Sequence, residues 1–404
     1  MKKTLLTICL TWMCFSLSAQ KIIDLSGKWS FSIDRQDNGE KEKWFSHTLN
    51  DCINLPGSMP EKLKGDEVTA KTQWTGSLYD SSYYYNPYME KYRKEGNIKF
   101  PFFLTPDKHY VGAAWYQKEV NIPADWKGER ILLFLERPHI ETTVWVNGQK
   151  TGMQNSLCVP HQYDITRYVR PGKCTITIRV DNRIKEINVG PDSHSITDQT
   201  QGNWNGIVGR ICLQTTPKTY FDDIQIYPEP EQKLARVKVV IKGAGITKIK
   251  LSAESFNTDK KHIVPAIQQE IKLNKGVTET EMILPMGNDM LLWDEFHPAL
   301  YKLKAEVTNG KKTEIKEIQF GMRRFEIKGK WFYVNGRKTQ LRGTVENCDF
   351  PLTGYAPMDV ESWERVFRIC RSYGLNHMRF HSFCPPEAAF IAADRVGFLS
   401  LIHI

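Results

Sequence analysis

The stretch from Gln340 to Pro386 limits the fold more than any other part of the chain. Two apolar runs in it, Leu341 to Val345 and Leu375 to Phe380, each finish in a cluster of polar residues. Glu346, Asn347 and Asp349 follow the first run, and Arg379, His381 and Ser382 close the second. Between them, Asp359 to Gly374 carries Val360, Trp363, Val366, Phe367, Ile369 and Cys370 at helical spacing, with Asp359 suited to cap the amino end and Gly374 to stop the carboxyl end. Pro386 to Gly397 reads as a second helix, opened by proline and closed by glycine. Strand, helix, strand, helix predicts parallel βαβ units. Polar residues at the carboxyl ends of such strands face the active site when the sheet closes into a (β/α)8 TIM barrel, which takes about 250 residues. Positions 321–404 supply 84. The expectation is therefore the first two to three βα units of an incomplete barrel, an enzyme cut off early in its catalytic domain.

Upstream the pattern is different. From about 22 to 225 the chain reads as short strands with turn punctuation: Ile131 to Glu136 as a buried strand, Glu141 to Val146 ending in the hairpin signal Asn147-Gly148, and an alternating run from Thr175 to Val180. This predicts an antiparallel β-sandwich of jelly-roll type. Residues 226–320, after the Pro228-Glu-Pro230 break, repeat the pattern in a smaller unit with strands at Arg236 to Ile241, Ile249 to Ala253 and Leu303 to Val307. That length suits an immunoglobulin-like sandwich of about 100 residues, although the Cys-Trp-Cys pattern of true immunoglobulins is absent. A hairpin then follows, Phe325 to Ile327 and Trp331 to Val334, with its turn placed at Asn335-Gly336. The fold class expected is multidomain: jelly-roll sandwich, immunoglobulin-like sandwich, incomplete TIM barrel.

Met1-Lys2-Lys3, the apolar run Thr4 to Leu17 and Ser18-Ala19 have the three regions of a secretory signal peptide, cleaved near Ala19-Gln20. Export to a periplasmic or extracellular location is expected. No later segment approaches the roughly 18 apolar residues of a membrane span, and Cys14 lacks the preceding small residues of a lipoprotein signal. Removing Lys2 and Lys3 lowers the formal charge from +9 to +7, carried by interleaved charges of both signs. That distribution argues against a nucleic-acid partner, whose footprint would be clustered. Seven cysteines remain after the leader, at 52, 158, 174, 212, 348, 370 and 384, with no Cys-x-x-Cys among them. An odd count without paired spacing argues against a zinc site and a complete disulfide framework. Oligomeric state is not readable.

Sandwich, smaller sandwich, then barrel, in a chain with a leader, resembles glycoside hydrolase family 2, which includes β-galactosidases, β-glucuronidases and β-mannosidases. The likeness rests on Trp204-Asn-Gly-Ile-Val-Gly209, on Leu292-Trp293 with His297-Pro-Ala-Leu-Tyr301, on Phe332-Tyr-Val-Asn-Gly336 with Leu341-Arg-Gly343, and on Gly374-Leu-Asn-His-Met-Arg379 with Asp394 and Gly397-Phe398. The resemblance implies retaining hydrolysis of a terminal β-glycosidic bond in an oligosaccharide or glycan. One carboxyl group attacks the anomeric carbon and a second, about 5 to 5.5 Å away, protonates the leaving oxygen. In the family both glutamates come from the fourth and seventh barrel strands, so no residue here is named nucleophile or acid/base. The 404 residues alone are expected to be inactive. The run Leu399-Ser-Leu-Ile-His-Ile404 resembles the in-frame translation of a sequencing adapter; its alternative is a genuine third strand, Phe398 to Ile402.

Substrate contact is expected from Arg379 and His381, where family members hold sugar hydroxyls, although the usual order Arg-x-Ser-His is inverted here to Arg379-Phe-His-Ser382. Glu346 and Asp349 are candidates for pocket wall, not for catalysis. The resemblance also suggests Asp198 as an acidic group reaching the barrel mouth, though its spacing departs from the family's. The tyrosines at 79, 83, 84, 85, 88 and 92 either stack on sugar or pack against a neighbouring domain. No metal or cofactor is expected, since ligand clusters are lacking; the magnesium and sodium of some β-galactosidases would be held mostly by later residues. A carbohydrate-binding protein without catalysis, or a structural surface module, is the alternative.

Overall fold

The computed structural model describes residues 20–76, 82–99, 105–185, 193–198, 200–350 and 352–403. Residues 1–19, expected above to be a leader, Tyr79 and Ile404 lie outside the described residues. The first domain packs a sheet ordered Ile22–Asp24, Gly206–Thr216, Arg130–Pro138, His161–Asp164 against a six-stranded sheet ordered Gln149–Asn155, Glu141–Val146, Gly172–Asp181, Ala113–Ile122, Gly27–Asp34, Asp51–Leu55. Alternation sets the core: Cys174, Ile176, Ile178 and Val180 point inward from one strand to meet Leu133, Leu135 and Leu213 of the facing sheet. The opposite side of that strand is also covered. Phe45 stacks on Trp145 at 5.2 Å, and Trp44 and Leu49 close over Trp115 and Trp145. Arg179 is buried there, in ion pairs with Asp37 at 2.5 Å and Asp181 at 3.0 Å. Asn147 and Gly148 both take positive φ, 50° and 76°, as the tight hairpin between Glu141–Val146 and Gln149–Asn155 requires.

The second domain departs from the sequence reading. The runs Arg236 to Ile241 and Ile249 to Ala253 are one 23-residue strand, Leu234–Phe256, paired along its length with Ile263–Pro285. Gly243 and Gly245, at φ 157° and 90°, make a bulge that bends the pair where a turn would have split it. The partner strand escaped notice because Glu, Gln, Lys and Thr dilute its alternation and Pro265 interrupts it. Leu300–Asn309 and Lys312–Phe320 complete the sheet, around a core that includes Val237, Val239, Leu251, Leu303 and Ala305.

The hairpin reading also needs correction. Phe325–Lys328 and Trp331–Val334 turn at Gly329-Lys330, and Asn335-Gly336 makes the next turn, into Arg337–Thr339. Three parallel strands follow: β1 (Gly343–Glu346), β2 (His377–His381) and β3 (Leu399–His403), in that order. Helices α1 (Val360–Ser372) and α2 (Glu387–Val396) connect them. Asp359 caps α1 by accepting from the Ser362 N–H at 2.8 Å, and Gly397 ends α2 at φ 78°. Met378 and Phe380 of β2 pack with Trp363 and Phe367 of α1 and Ala389 and Ala393 of α2. The run from Leu399 that sequence reading set apart forms β3, with Leu399 buried beside Trp293 and Leu300. Among the described residues no helix is long and apolar enough to cross a membrane.

Candidate functional site

Side chains of a strand alternate between faces, and neighbours in a parallel pair share one. The register of β1 on β2 matches Gly343 with His377, Val345 with Arg379 and Glu346 with Phe380. Met378 and Phe380 face the helices. His377, Arg379 and His381 therefore form a row on the opposite face, flanked by Val345 and by Leu401 of β3, which are 49% and 52% exposed. This face holds two of the four predicted substrate-binding residues. Sequence reading missed His377 in the same row, although the spacing 377, 379, 381 contains the signal. Gly343 leaves room for it: a Cβ there would lie 2.7 Å from His377 Nδ1.

Loops of the first sandwich reach the carboxyl end of β2. Gln201 Nε2 donates to the His381 carbonyl at 3.1 Å, the His194 ring lies 5.4 Å from that of His381, and Ser382 Oγ sits 3.2 Å from His381 Nδ1. Neither His194 nor Gln201 stands out in the sequence, because tertiary contact alone brings them there.

Glu346 does not join Arg379 and His381. Its position in β1 places it on the helix side, where Oε1 accepts the Cys348 N–H at 2.8 Å and burial, with Asp349 adding to it, raises its pKa. Asp349, whose charge acts on Glu346, lines a cleft of about 1020 Å³ between the first sandwich and the helices, together with Glu136, Arg210, Tyr355 and Glu387. Burial raises the Asp349 carboxyl as well. The four predicted residues thus do not share one site: Arg379 and His381 stand on one face of β2, and Glu346 and Asp349 lie off it.

Asp198 is spent inside the first domain and reaches no strand end. It is 3% exposed, accepts the N–H of Thr75 at 2.5 Å and of Asn203 at 2.9 Å, and lies 3.3 Å from His109 Nε2. In the tyrosine tract, Tyr83 donates to the Tyr92 carbonyl, while Tyr84, Tyr85 and Tyr88 are 56%, 71% and 84% exposed. Among the described residues no group of three or more His, Cys, Asp or Glu is arranged to hold a metal ion.

The sequence motifs work as joints. Asn205 accepts from Tyr116 OH and donates to the Gly112 and Val180 carbonyls. Gly206 passes so close to another strand that a Cβ would lie 2.4 Å from the Gly57 carbonyl oxygen. Trp293 ties three units together: its N–H donates to the Met322 carbonyl, Nε1 donates to the Asp394 carbonyl, and its own carbonyl accepts from Asn335.

Residues 22–217 match the family model described as glycosyl hydrolases family 2, sugar binding domain, and residues 219–323 match the model described as glycosyl hydrolases family 2. Human β-glucuronidase is 23% identical over 412 residues, covering 93% of this chain and 56% of that one. A β-galactosidase of Thermoanaerobacter pseudethanolicus is 24% identical over 322 residues, covering 75% and 41%. The chain thus spans about half the length of these relatives, or less. A Ruminococcus gnavus β-glucuronidase, solved with D-glucuronic acid, superposes with a TM-score of 0.70 at 19% identity, over 96% of this chain and 60% of that one.

Proposed function

The chain belongs to glycosyl hydrolases family 2, and from that membership we propose that it is part of a retaining exo-β-glycosidase of β-glucuronidase or β-galactosidase type. The first two domains are read as a jelly-roll and an immunoglobulin-like sandwich, and β1 to β3 as the opening strands of a TIM barrel. The observation that carries the reading is the pair of family matches running from 22 to 323, with the βαβ units following from Gly343. Arg379 and His381 are assigned to the sugar hydroxyls at the base of the pocket, their side chains on the face that a closed barrel would turn inward. Glu346 is excluded from catalysis, because it faces the helices and its carboxylate is engaged by the Cys348 N–H. The working carboxylates are assigned to strands that the 404 residues do not contain, so these residues alone are proposed to be inactive. Export, directed by residues 1–19, completes the proposal.

The test compares the 404-residue chain with one carrying all eight barrel strands on chromogenic β-glucuronides and β-galactosides. Only the longer chain should turn over. In it, Arg379→Ala should lower kcat/KM by about two orders of magnitude, and Glu346→Gln should change it less than about tenfold. Hydrolysis by the short chain, or loss of activity in Glu346→Gln, overturns the assignment. The exposure of Tyr84, Tyr85 and Tyr88 favours a second role, glycan binding by the first domain without chemistry. Affinity of residues 20–217 for oligosaccharides, lost on replacing those tyrosines, would support it.

A further inference from the structure

Arg137 leaves the first sandwich and crosses to the segment after β2. Its Nη1 donates to the Cys384 carbonyl at 2.9 Å, and its Nη2 to the Cys158 carbonyl at 3.3 Å and the Pro385 carbonyl at 3.2 Å. One guanidinium therefore holds the backbones of two cysteines that belong to different domains. Their side chains line one small cavity, together with Trp204 and Cys348. The Cys384 Sγ lies 3.6 Å from the Pro385 carbonyl, and that carbonyl shares the Arg137 Nη2 donor with the Cys158 carbonyl, so the two cysteines meet at one guanidinium. Both cysteines are free and half-buried, and Val159, next to Cys158, is 59% exposed, so a small reagent can approach.

We propose that Cys158 and Cys384 are a redox pair that closes into an interdomain disulfide, fastening residues 156–160 of the first sandwich to the carboxyl end of β2. The inference uses the fold alone and does not depend on the glycosidase reading. The hydrogen bond from Cys384 and the positive charge of Arg137 both lower the Cys158 pKa, which makes Cys158 the attacking thiolate. Cys384, which gives that hydrogen bond and is desolvated, stays protonated until its turn. Cys348 is the nearest competitor, and it is held out of the exchange: burial, with Glu346 adding to it, pushes its thiol up to about 12.

The oxidant is a low-molecular-weight disulfide such as oxidised glutathione. Cys158, its proton lost to solvent, attacks one glutathione sulfur; the reagent's S–S bond breaks and one glutathione leaves as thiol. Cys384 then gives up its proton and attacks the Cys158 sulfur of the mixed disulfide, expelling the second glutathione. Two protein thiols are oxidised by two electrons and one reagent disulfide is reduced to two thiols. Because Cys384 lies three residues past His381, whose carbonyl already accepts from Gln201, closure fixes the strand end that carries Arg379 and His381.

The experiment oxidises the native 404-residue chain with a glutathione redox buffer, traps remaining thiols with N-ethylmaleimide and maps peptides by mass spectrometry without reduction. A Cys158–Cys384 cross-linked peptide should dominate in native buffer, vanish with dithiothreitol, and give way to scrambled pairs when oxidation is run in denaturant. Cys384→Ser should stop at the glutathionylated Cys158, and Arg137→Met should slow glutathionylation of Cys158 in that background several-fold. Native oxidation that leaves both cysteines alkylated, or that joins Cys384 to Cys348, overturns the proposal. An unchanged rate in Arg137→Met overturns the role given to the guanidinium.

Discussion

Two buried histidines should make the first sandwich sensitive to mild acid. His139 is 5% exposed and stacks on Trp204 at 4.4 Å, with Asn203 alongside it. Burial lowers its pKa from 6.5 to about 3. His161 is fully buried, its Nδ1 2.6 Å from Thr142 Oγ1, and burial lowers its pKa to about 4. A histidine whose pKa is lower folded than unfolded binds more protons when unfolded. Its contribution is therefore complete above pH 6.5 and drains as pH falls, through about 3 for His139 and about 4 for His161. At pH 5 each has passed through about 1.5 units at about 1.36 kcal/mol per unit, which is roughly 2 kcal/mol each and about 4 kcal/mol for the pair. A loss of that size is a large share of the 5–15 kcal/mol that holds a typical domain, by order of magnitude. Burial raises the carboxyls of Glu314 and Asp394, which act in the opposite sense, but they lie outside the first sandwich. Denaturant unfolding of residues 20–217, followed by tryptophan fluorescence at pH 7.5 and pH 5, should show the drop. The double variant His139→Gln/His161→Gln should lose most of the pH dependence, whatever its absolute stability. If wild type and variant lose equal stability between the two pH values, the histidines are not its source.

Three further outcomes follow from buried contacts. Asp198→Ala strands the N–H groups of Thr75 and Asn203 at roughly 1–3 kcal/mol each, and should speed hydrogen exchange at both amides. Phe380→Ala empties a site 1% exposed between Trp363 and Phe383, costing about 3–5 kcal/mol; limited proteolysis should then cut residues 337–403 while the sandwiches persist. Asn376→Ala removes the acceptor for the Arg342 N–H and the donor to Glu295 and Gln340 from a fully buried position, and should release the Arg337–Thr339 connection to faster exchange.

What could be read from the sequence was whatever depends on near neighbours. Asp359 and Gly397 bound their helices because a side chain three residues from an orphan N–H, or a left-handed φ, is a local matter. Asn147-Gly148 worked for the same reason. Arg236 to Ile241 and Ile249 to Ala253 read as separate strands because Gly243 and Gly245 break the apolar pattern between them, and only the 23-residue partner strand makes that break a bulge. The candidate site divides along the same line. That Arg379 and His381 share a face follows from their separation of two, and His377 follows by the same count. That Glu346 faces away follows from its register against Phe380, which depends on how β1 slides along β2 and is set by the buried Asn376 bridging Arg342 and Glu295. A slip of one residue would turn Glu346 toward Arg379 and put Val345 among the helices, which shows why a carboxylate at a strand end is weak evidence for catalysis until its register is known.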